Sequence, residues 1–414
     1  MIDVRLLRRG DASLGGALAE LVALDGRWRA ALAEAERLKA ERNAQNEEVA
    51  RRKRAKEPAD ELLAALKASG ERGKALDAEA RELDAALQAA LLRIPNLPHA
   101  GTPTGGPDAN RVLRSWGEPP RFGFAPKPHW ELAERLGILD LPRGVKLTGS
   151  GFPVFLGAGA RLIRALANLM LDLHTREHGY REVAPPYLVN RATLTGTGQL
   201  PKFEEDLYAA PKDELFLIPT AEVPVTNLHR DEILEAAALP SASVAFTPCF
   251  RREAGAAGKD TRGLLRVHQF DKVELVRLCR PEESDREHAL LTGHAEAVLQ
   301  RLELPYRVVE LASGDTGFSA ARTFDLEVWS AGVQAWLEVS SSSTFTDFQA
   351  RRANIRFRPA PGAKPEFVHT LNASGVAFAR TIAALLENRQ TEEGSIPLPA
   401  ALVPYFGAER ILPG

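Results

Sequence analysis

CFRREAGAAGKDTRGLLRVHQFDKVE, residues 249–274, decides the fold and chemistry of this chain. Two charged runs with strand-like alternation, 247–253 and 264–275, flank a connection rich in Gly, Ala and charge. Side chains two apart on a strand share a face. Arg251 and Glu253 are therefore expected to point together, as are Arg266, His268, Phe270, Lys272 and Glu274. Such a face makes poor core, because an unpaired buried charge costs several kcal/mol. It makes a good floor for a ligand with anionic phosphates, a flat base and a free ammonium.

Length, charge and cysteine content bound what the rest of the chain can be. Its 414 residues exceed one ordinary core, and two domains are expected, 1–100 and 101–414. With 53 basic against 55 acidic residues, a generally basic nucleic-acid coat is excluded, and any such contact must be a local patch. Cys249 and Cys279 are the only cysteines, which argues against a zinc site or disulfide scaffold and fits a reducing compartment. The N-terminus has no signal-like apolar run, and no segment reaches the roughly 18 apolar residues of a membrane span. The expectation is a cytoplasmic protein whose partners include neither membrane nor DNA.

Residues 20–92 are dominated by Ala, Leu, Glu, Arg and Lys, with Pro58 the only proline. Alternating steps of three and four from Leu21 pass through Leu24, Trp28, Ala31, Ala35 and Leu38 to Val49. A second series runs from Leu62 through Leu76, Ala80, Leu83 and Leu87. Both keep coiled-coil spacing, which predicts an antiparallel helical hairpin with its tip near 52–60. Residues 27–55 alone span about 43 Å at 1.5 Å per residue. Arg51, Arg52, Lys53, Arg54 and Lys56 cluster at that tip. The Pro/Gly-rich stretch 93–110 reads as a linker.

Beyond it, helices are expected at 161–177 and 376–387. Strands are expected at 215–218, 245–253, 264–278, 323–329 and 335–340. Strand runs with occasional helices predict an α+β fold on an antiparallel sheet. His174 and His178 match H-x-x-E-H, but the last turn of a helix favours positive side chains without a metal. Gly149 and Gly151 lack the third glycine of a dinucleotide fingerprint. Asp325 and Glu327 alternate with apolar residues and read as a solvated sheet face.

Four segments share one chemical logic: Thr220-Ala221-Glu222, the hairpin, Glu338-Val339-Ser340-Ser341, and Asn372-Ala373-Ser374 leading to Arg380. Together with RIPNLPH at 93–99, HGYREVAPPYLVN at 178–190, LIPTAEVPVTN at 217–227 and FQARR at 348–352, they closely resemble bacterial-type seryl-tRNA synthetases, which are class II aminoacyl-tRNA synthetases. The resemblance covers almost the whole chain, with the motifs in the family's order. It implies a class II antiparallel catalytic domain behind a tRNA-binding arm. The implied reaction is ATP-dependent activation of L-serine and its transfer to tRNA(Ser), and to tRNA(Sec) where present.

The resemblance also implies roles. ATP is bound by Arg251, Arg252, Glu253, Val267, Phe270, Glu338, Val339, Ser340, Ser341 and Arg380, with Arg251 and Arg380 catalytic. Arg251 takes the α-phosphate, Glu253 recognises adenine, and Phe270 and Arg380 cover its two faces. Glu338 and Ser341 hold Mg²⁺. Serine is bound by Thr220, Ala221, Glu222, Arg251, Glu274, Asn372 and Ser374. The basic tip, Arg51 to Lys56, binds tRNA. The segment around His178 and Pro185-Pro186 forms a homodimer interface. Two positions depart from the family's usual pattern: Ser342 stands for a cysteine and Ala373 for a glycine, expected to alter pocket dimensions only.

Overall fold

The computed structural model describes residues 1–8, 18–254 and 262–413. The Gly/Ala-rich connection at 255–261 lies outside them. Internal packing divides the chain into two units, Met1–Pro95 and Asn96–Gly414.

The first unit is a helical hairpin. A short helix α1 (Val4–Arg8) precedes the two long ones, α2 (Leu18–Ala55) and α3 (Asp60–Leu91). The 38 residues of α2 span about 57 Å. Ala31, Leu76, Ala80 and Leu83 form the buried seam, with Leu24, Trp28, Ala35 and Leu38 against it. These lie on the two predicted heptad series. Asp25 is buried near the base, where Arg8 and Arg29 bind its carboxylate and hold it below its ordinary range, Arg8 most strongly. At the tip Lys56 adopts the left-handed conformation (φ 56°), which stops α2 and turns the chain toward α3.

The second unit is built on eight strands: β1 (Arg111–Trp116), β2 (Arg181–Glu182), β3 (Ser241–Phe250), β4 (Gln269–Cys279), β5 (Tyr306–Glu310), β6 (Arg322–Ser330), β7 (Ala335–Thr346) and β8 (His369–Ala377). They lie in the order β1-β5-β6-β7-β8-β4-β3-β2. All neighbours are antiparallel except β2, which runs parallel to β3. Three helices, α4 (Ala158–Asp172), α5 (Ser284–Arg301) and α6 (Phe378–Asn388), bury one face of this sheet around Val273, Leu275, Leu326, Val328 and Leu371. The other face carries a cleft.

Several boundaries differ from expectation. The strand predicted from residue 264 begins at Gln269, because 264–268 approach it as turns. The partner strand ends at Phe250, so Arg251 and Glu253 lie beyond it, with Glu253 at φ 53°. The strand predicted to end at 340 continues to Thr346, and α6 begins at Phe378 because β8 runs through Ala377. The stretch read as a linker pairs with the second unit from Asn96 onward: Asn96 N–H donates to the Phe318 carbonyl (2.9 Å) and His99 N–H to that of Ala321 (2.8 Å).

Candidate active site

The open face of the sheet holds a cleft of about 920 Å³, within the range of small-molecule sites. Its floor follows from strand alternation corrected by two irregularities. On β4, Phe270, Lys272 and Glu274 share the cleft face, while Val273 and Leu275 enter the helix-side core. Glu338 and Ser341, three apart, would face opposite ways on a regular strand. A register slip opposite Leu326 and Glu327 makes Val339 an extra residue, so Glu338 pairs with Glu327 and Ser341 with Asp325. Both reach the cleft. A second slip at Gly375 lets Ser374 pair with Glu274 while Val376 pairs with Val273.

Of the residues named from sequence, Thr220, Glu222, Arg251, Glu253, Val267, Phe270, Glu338, Val339, Ser341, Asn372, Ser374 and Arg380 line this one cleft. Four others do not. Arg252 is exposed, its backbone N–H donating to the Asp206 carbonyl (2.9 Å). Ala221 is buried in a small apolar cluster with Val225, Ala245 and Val276. Ser340 is buried and its hydroxyl donates to the Ser374 carbonyl (2.5 Å). Glu274 is on the cleft face but covered: Lys272 ion-pairs with it and Asn372 Nδ2 donates to it (2.7 Å).

The arginines are held from the side. Arg251 Nε donates to the Pro219 carbonyl (3.3 Å), and its guanidinium lies 5.2 Å from the Phe270 ring centre. Arg380 ties two walls together, donating to the carbonyls of Leu265 (2.9 Å) and Glu338 (2.8 Å). Glu253 pairs with Arg266 at 2.6 Å. The cleft thus presents a cationic wall with an aromatic ring at one part and carboxylates and hydroxyls at another.

Among those carboxylates Glu222 is buried, and desolvation followed by repulsion from Glu274 pushes it up to about 7. Asp325 is also buried and lines the cleft. Desolvation and then the Glu338 carboxylate raise it well above the carboxylate range, against a hydrogen bond from Ser341. Its Oδ1 has no hydrogen-bond partner among the described residues. The reading of Asp325 as a solvated face was therefore wrong: its odd-numbered face looks into the cleft, and the cleft walls bury it. Lys272 lines the cleft as a member of the face read from alternation. Gln349, only a letter in FQARR, contacts Glu222 from behind the cleft lining, and nothing local in the sequence marks that contact. Alternation identifies a strand's face but does not say whether that face meets water or a cavity.

Ser342 and Ala373 face the helices. The Ser342 hydroxyl meets Thr292 Oγ1 at 2.9 Å on α5, and Ala373 joins the helix-side core. The expected effect of these departures on pocket dimensions is corrected accordingly: each sits one residue out of phase with the cleft face.

A family model described as the seryl-tRNA synthetase N-terminal domain matches residues 1–98. A second, the tRNA synthetase class II core domain (G, H, P, S and T), matches residues 202–389. A serine–tRNA ligase of Gemmatimonas aurantiaca is 58% identical, with 98% of this chain and 99% of the relative aligned. The crystal structure of seryl-tRNA synthetase from Pyrococcus horikoshii complexed with ATP matches with a TM-score of 0.96 at 38% identity, covering 100% of both chains. A cytoplasmic serine–tRNA ligase of Naegleria fowleri in complex with AMP matches at 0.88 and 28%, covering 99% of this chain and 96% of that one. With this similarity running from the helical hairpin through the cleft-bearing sheet, the chain belongs to the seryl-tRNA synthetase family, on the class II core.

Proposed function

We propose that this chain activates L-serine with ATP and transfers it to the 3′ end of tRNA(Ser), and of tRNA(Sec) where that RNA exists. The observation that carries the reading is the single cleft shared by Arg251, Phe270 and Arg380 with Glu222, Asn372 and Ser374. In the first step the serine carboxylate attacks the α-phosphate, and pyrophosphate leaves. No side chain need act as nucleophile. Arg251 and Arg380 neutralise charge growing on the phosphates and hold them in line for attack. Phe270 stacks on adenine and Glu253 recognises its edge. Freed of Arg266, Glu253 also has an acceptor to offer. In the second step the terminal ribose hydroxyl of tRNA attacks the adenylate carbonyl.

Glu222, Thr220, Asn372 and Ser374 bind the serine ammonium and hydroxyl, with Glu274 behind them, holding Lys272 and Asn372 in place. A site built to bond a hydroxyl rejects alanine by roughly 10⁴–10⁵, because buried polar groups are then left unpaired. Threonine is refused by lack of room for its methyl.

Glu338 and Ser341 would hold Mg²⁺, with Asp325 beside them. Carboxylate and hydroxyl oxygens suit this hard cation, and the partnerless Asp325 Oδ1 fits a site awaiting positive charge. Bound there, Mg²⁺ supplies charge neutralisation at the phosphates. The basic tip of the arm engages tRNA phosphates. The protein acts in the cytoplasm as a homodimer, the dimer reading being supported by the exposed edge strand β2 and the exposed Tyr187 and Leu188 that follow it. Among the described residues no helix is long and apolar enough to cross a membrane.

Serine-dependent ATP–pyrophosphate exchange followed by charging of total tRNA tests the proposal. Exchange with serine but not alanine or threonine, and serine attached to tRNA, is expected. Exchange without charging points to a carrier-protein ligase, and neither activity to a non-catalytic RNA-binding protein.

A further inference from the structure

Gln349 is fully buried in the short helix Phe348–Ala353, and all its side-chain polar atoms are engaged. Nε2 donates to Glu222 Oε1 at 2.6 Å and to the Thr197 carbonyl at 3.2 Å. Oε1 accepts from the Thr370 hydroxyl at 2.6 Å. An amide can present either end to a carboxylate, and only its NH₂ end is attractive. The Thr197 carbonyl, which can only accept, selects that orientation, and the Thr370 hydroxyl then donates to the amide oxygen. Thr197 in turn begins the 197–199 segment that forms a wall of the cleft. One amide therefore joins a cleft carboxylate, a cleft wall and a strand of the main sheet.

We propose that Gln349 is a positioning residue for the amino-acid end of the cleft. It fixes the direction in which Glu222 is presented and ties that carboxylate to the Thr197 wall, with the Thr197 carbonyl setting the amide and the Thr370 hydroxyl holding its oxygen. The inference rests on the serine-activation reading above and adds the residue that prepares the site for the substrate's ammonium. Glu222 is faced by Glu274 and Lys272 from β4, by Arg251, and by Gln349. Burial and Glu274 favour its neutral form, whereas Gln349, Lys272 and Arg251 favour the carboxylate. Among these groups Gln349 is the one hydrogen-bond donor to Glu222 and the only one without charge, so removing it leaves the charge balance of the cleft intact.

The test uses the full-length chain and serine-dependent pyrophosphate exchange. Gln349→Met keeps the length and removes the donor. Loss of a hydrogen bond to a charged group should raise KM for serine roughly 10- to 100-fold, with KM for ATP within about twofold. Without the donor the neutral carboxyl gains, so the acid limb of kcat/KM for serine should move to higher pH. Thr370→Val, which takes the donor away from the amide oxygen and loosens its hold, should shift both readouts in the same direction by less. Thr370→Ser, which keeps the hydroxyl, should restore them. The Thr370 pair also decides the matter if Gln349→Met does not fold. Unchanged serine KM and pH limb in Gln349→Met or, failing that, in Thr370→Val, would overturn the inference. So would a parallel rise of the ATP and serine KM values, the mark of a merely structural role. A wild-type chain without serine-dependent exchange would instead overturn the reading beneath it.

Discussion

Arg251 and Arg277 come from the same hairpin and should fail in opposite ways when removed. Arg251 stands past the end of β3 in the cleft, with one long hydrogen bond to Pro219 and a cation–π contact to Phe270. Those contacts contribute about 1 kcal/mol for the bond and about 0.5–1 kcal/mol for the ring. Arg251→Ala should therefore destabilise the fold by at most about 2 kcal/mol. Its charge would matter where negative charge develops. By analogy with removal of an oxyanion donor, activation should fall by about 10²–10³, or about 2.7–4 kcal/mol of transition-state stabilisation. Pyrophosphate exchange at saturating ATP and serine gives the rate, and urea unfolding of the same preparation gives the stability. Near-normal exchange in a folded variant would refute the phosphate assignment. A stability loss as large as the rate loss would refute the claim that the side chain serves the cleft rather than the fold.

The remaining expectations concern the opposite face, the pocket and the arm. Arg277 lies on the helix side of β4, buried against Glu287 at 2.5 Å. Arg277→Met should cost at most about 3–5 kcal/mol in urea unfolding, and less to the extent that Arg286, 3.0 Å from the other Glu287 oxygen, still partners that carboxylate, while KM values in the folded fraction stay put. A neutral result would mean that the helix side relaxes around the charge. Ser374→Ala and Glu274→Ala should raise KM for serine and spare ATP, Glu274→Ala more severely, because it also strands Lys272. Equal losses of ATP binding in both would show that the amino-acid end is misassigned. In the arm, Arg51 and Arg52 already share Glu48, whereas Lys53, Arg54 and Lys56 have no carboxylate partner among the described residues. Exposed pairs are surrendered readily, so the log–log salt slope of tRNA binding should fall between about −3 and −4. Replacing all five by Gln should flatten it without dissociating the protein. Deleting 28–92 with a short bridge should spare exchange and cut charging by orders of magnitude, and wild-type charging by that variant would make the arm an assembly device.

The arm was legible in the sequence, because a heptad seam is a local property. Leu24, Trp28 and Ala31 must meet Leu76, Ala80 and Leu83 if the chain turns anywhere near Pro58. The charged face of the hairpin was legible for the same reason: Phe270, Lys272 and Glu274 alternate within one strand. The resemblance in motif order named further cleft residues, though not Asp325, without saying how they meet.

That meeting is a tertiary matter. Glu338 and Ser341 share the cleft because β7 slips by one residue against β6, and Ser374 faces Glu274 because β8 slips at Gly375. Register between strands depends on the partner strand, and a one-residue slip reverses every side chain beyond it. The same rule sends Ser342 and Ala373 to the helices and leaves the substrate side untouched. Burial is likewise decided by what arrives from elsewhere in the chain. Asp325 and Glu222 read as ordinary acids along the sequence, yet desolvation and the carboxylates brought beside them, Glu338 and Glu274, lift both above the carboxylate range. Local periodicity therefore determined which side chains share a face, and only the packing of distant strands determined which faces meet water, core or the cleft.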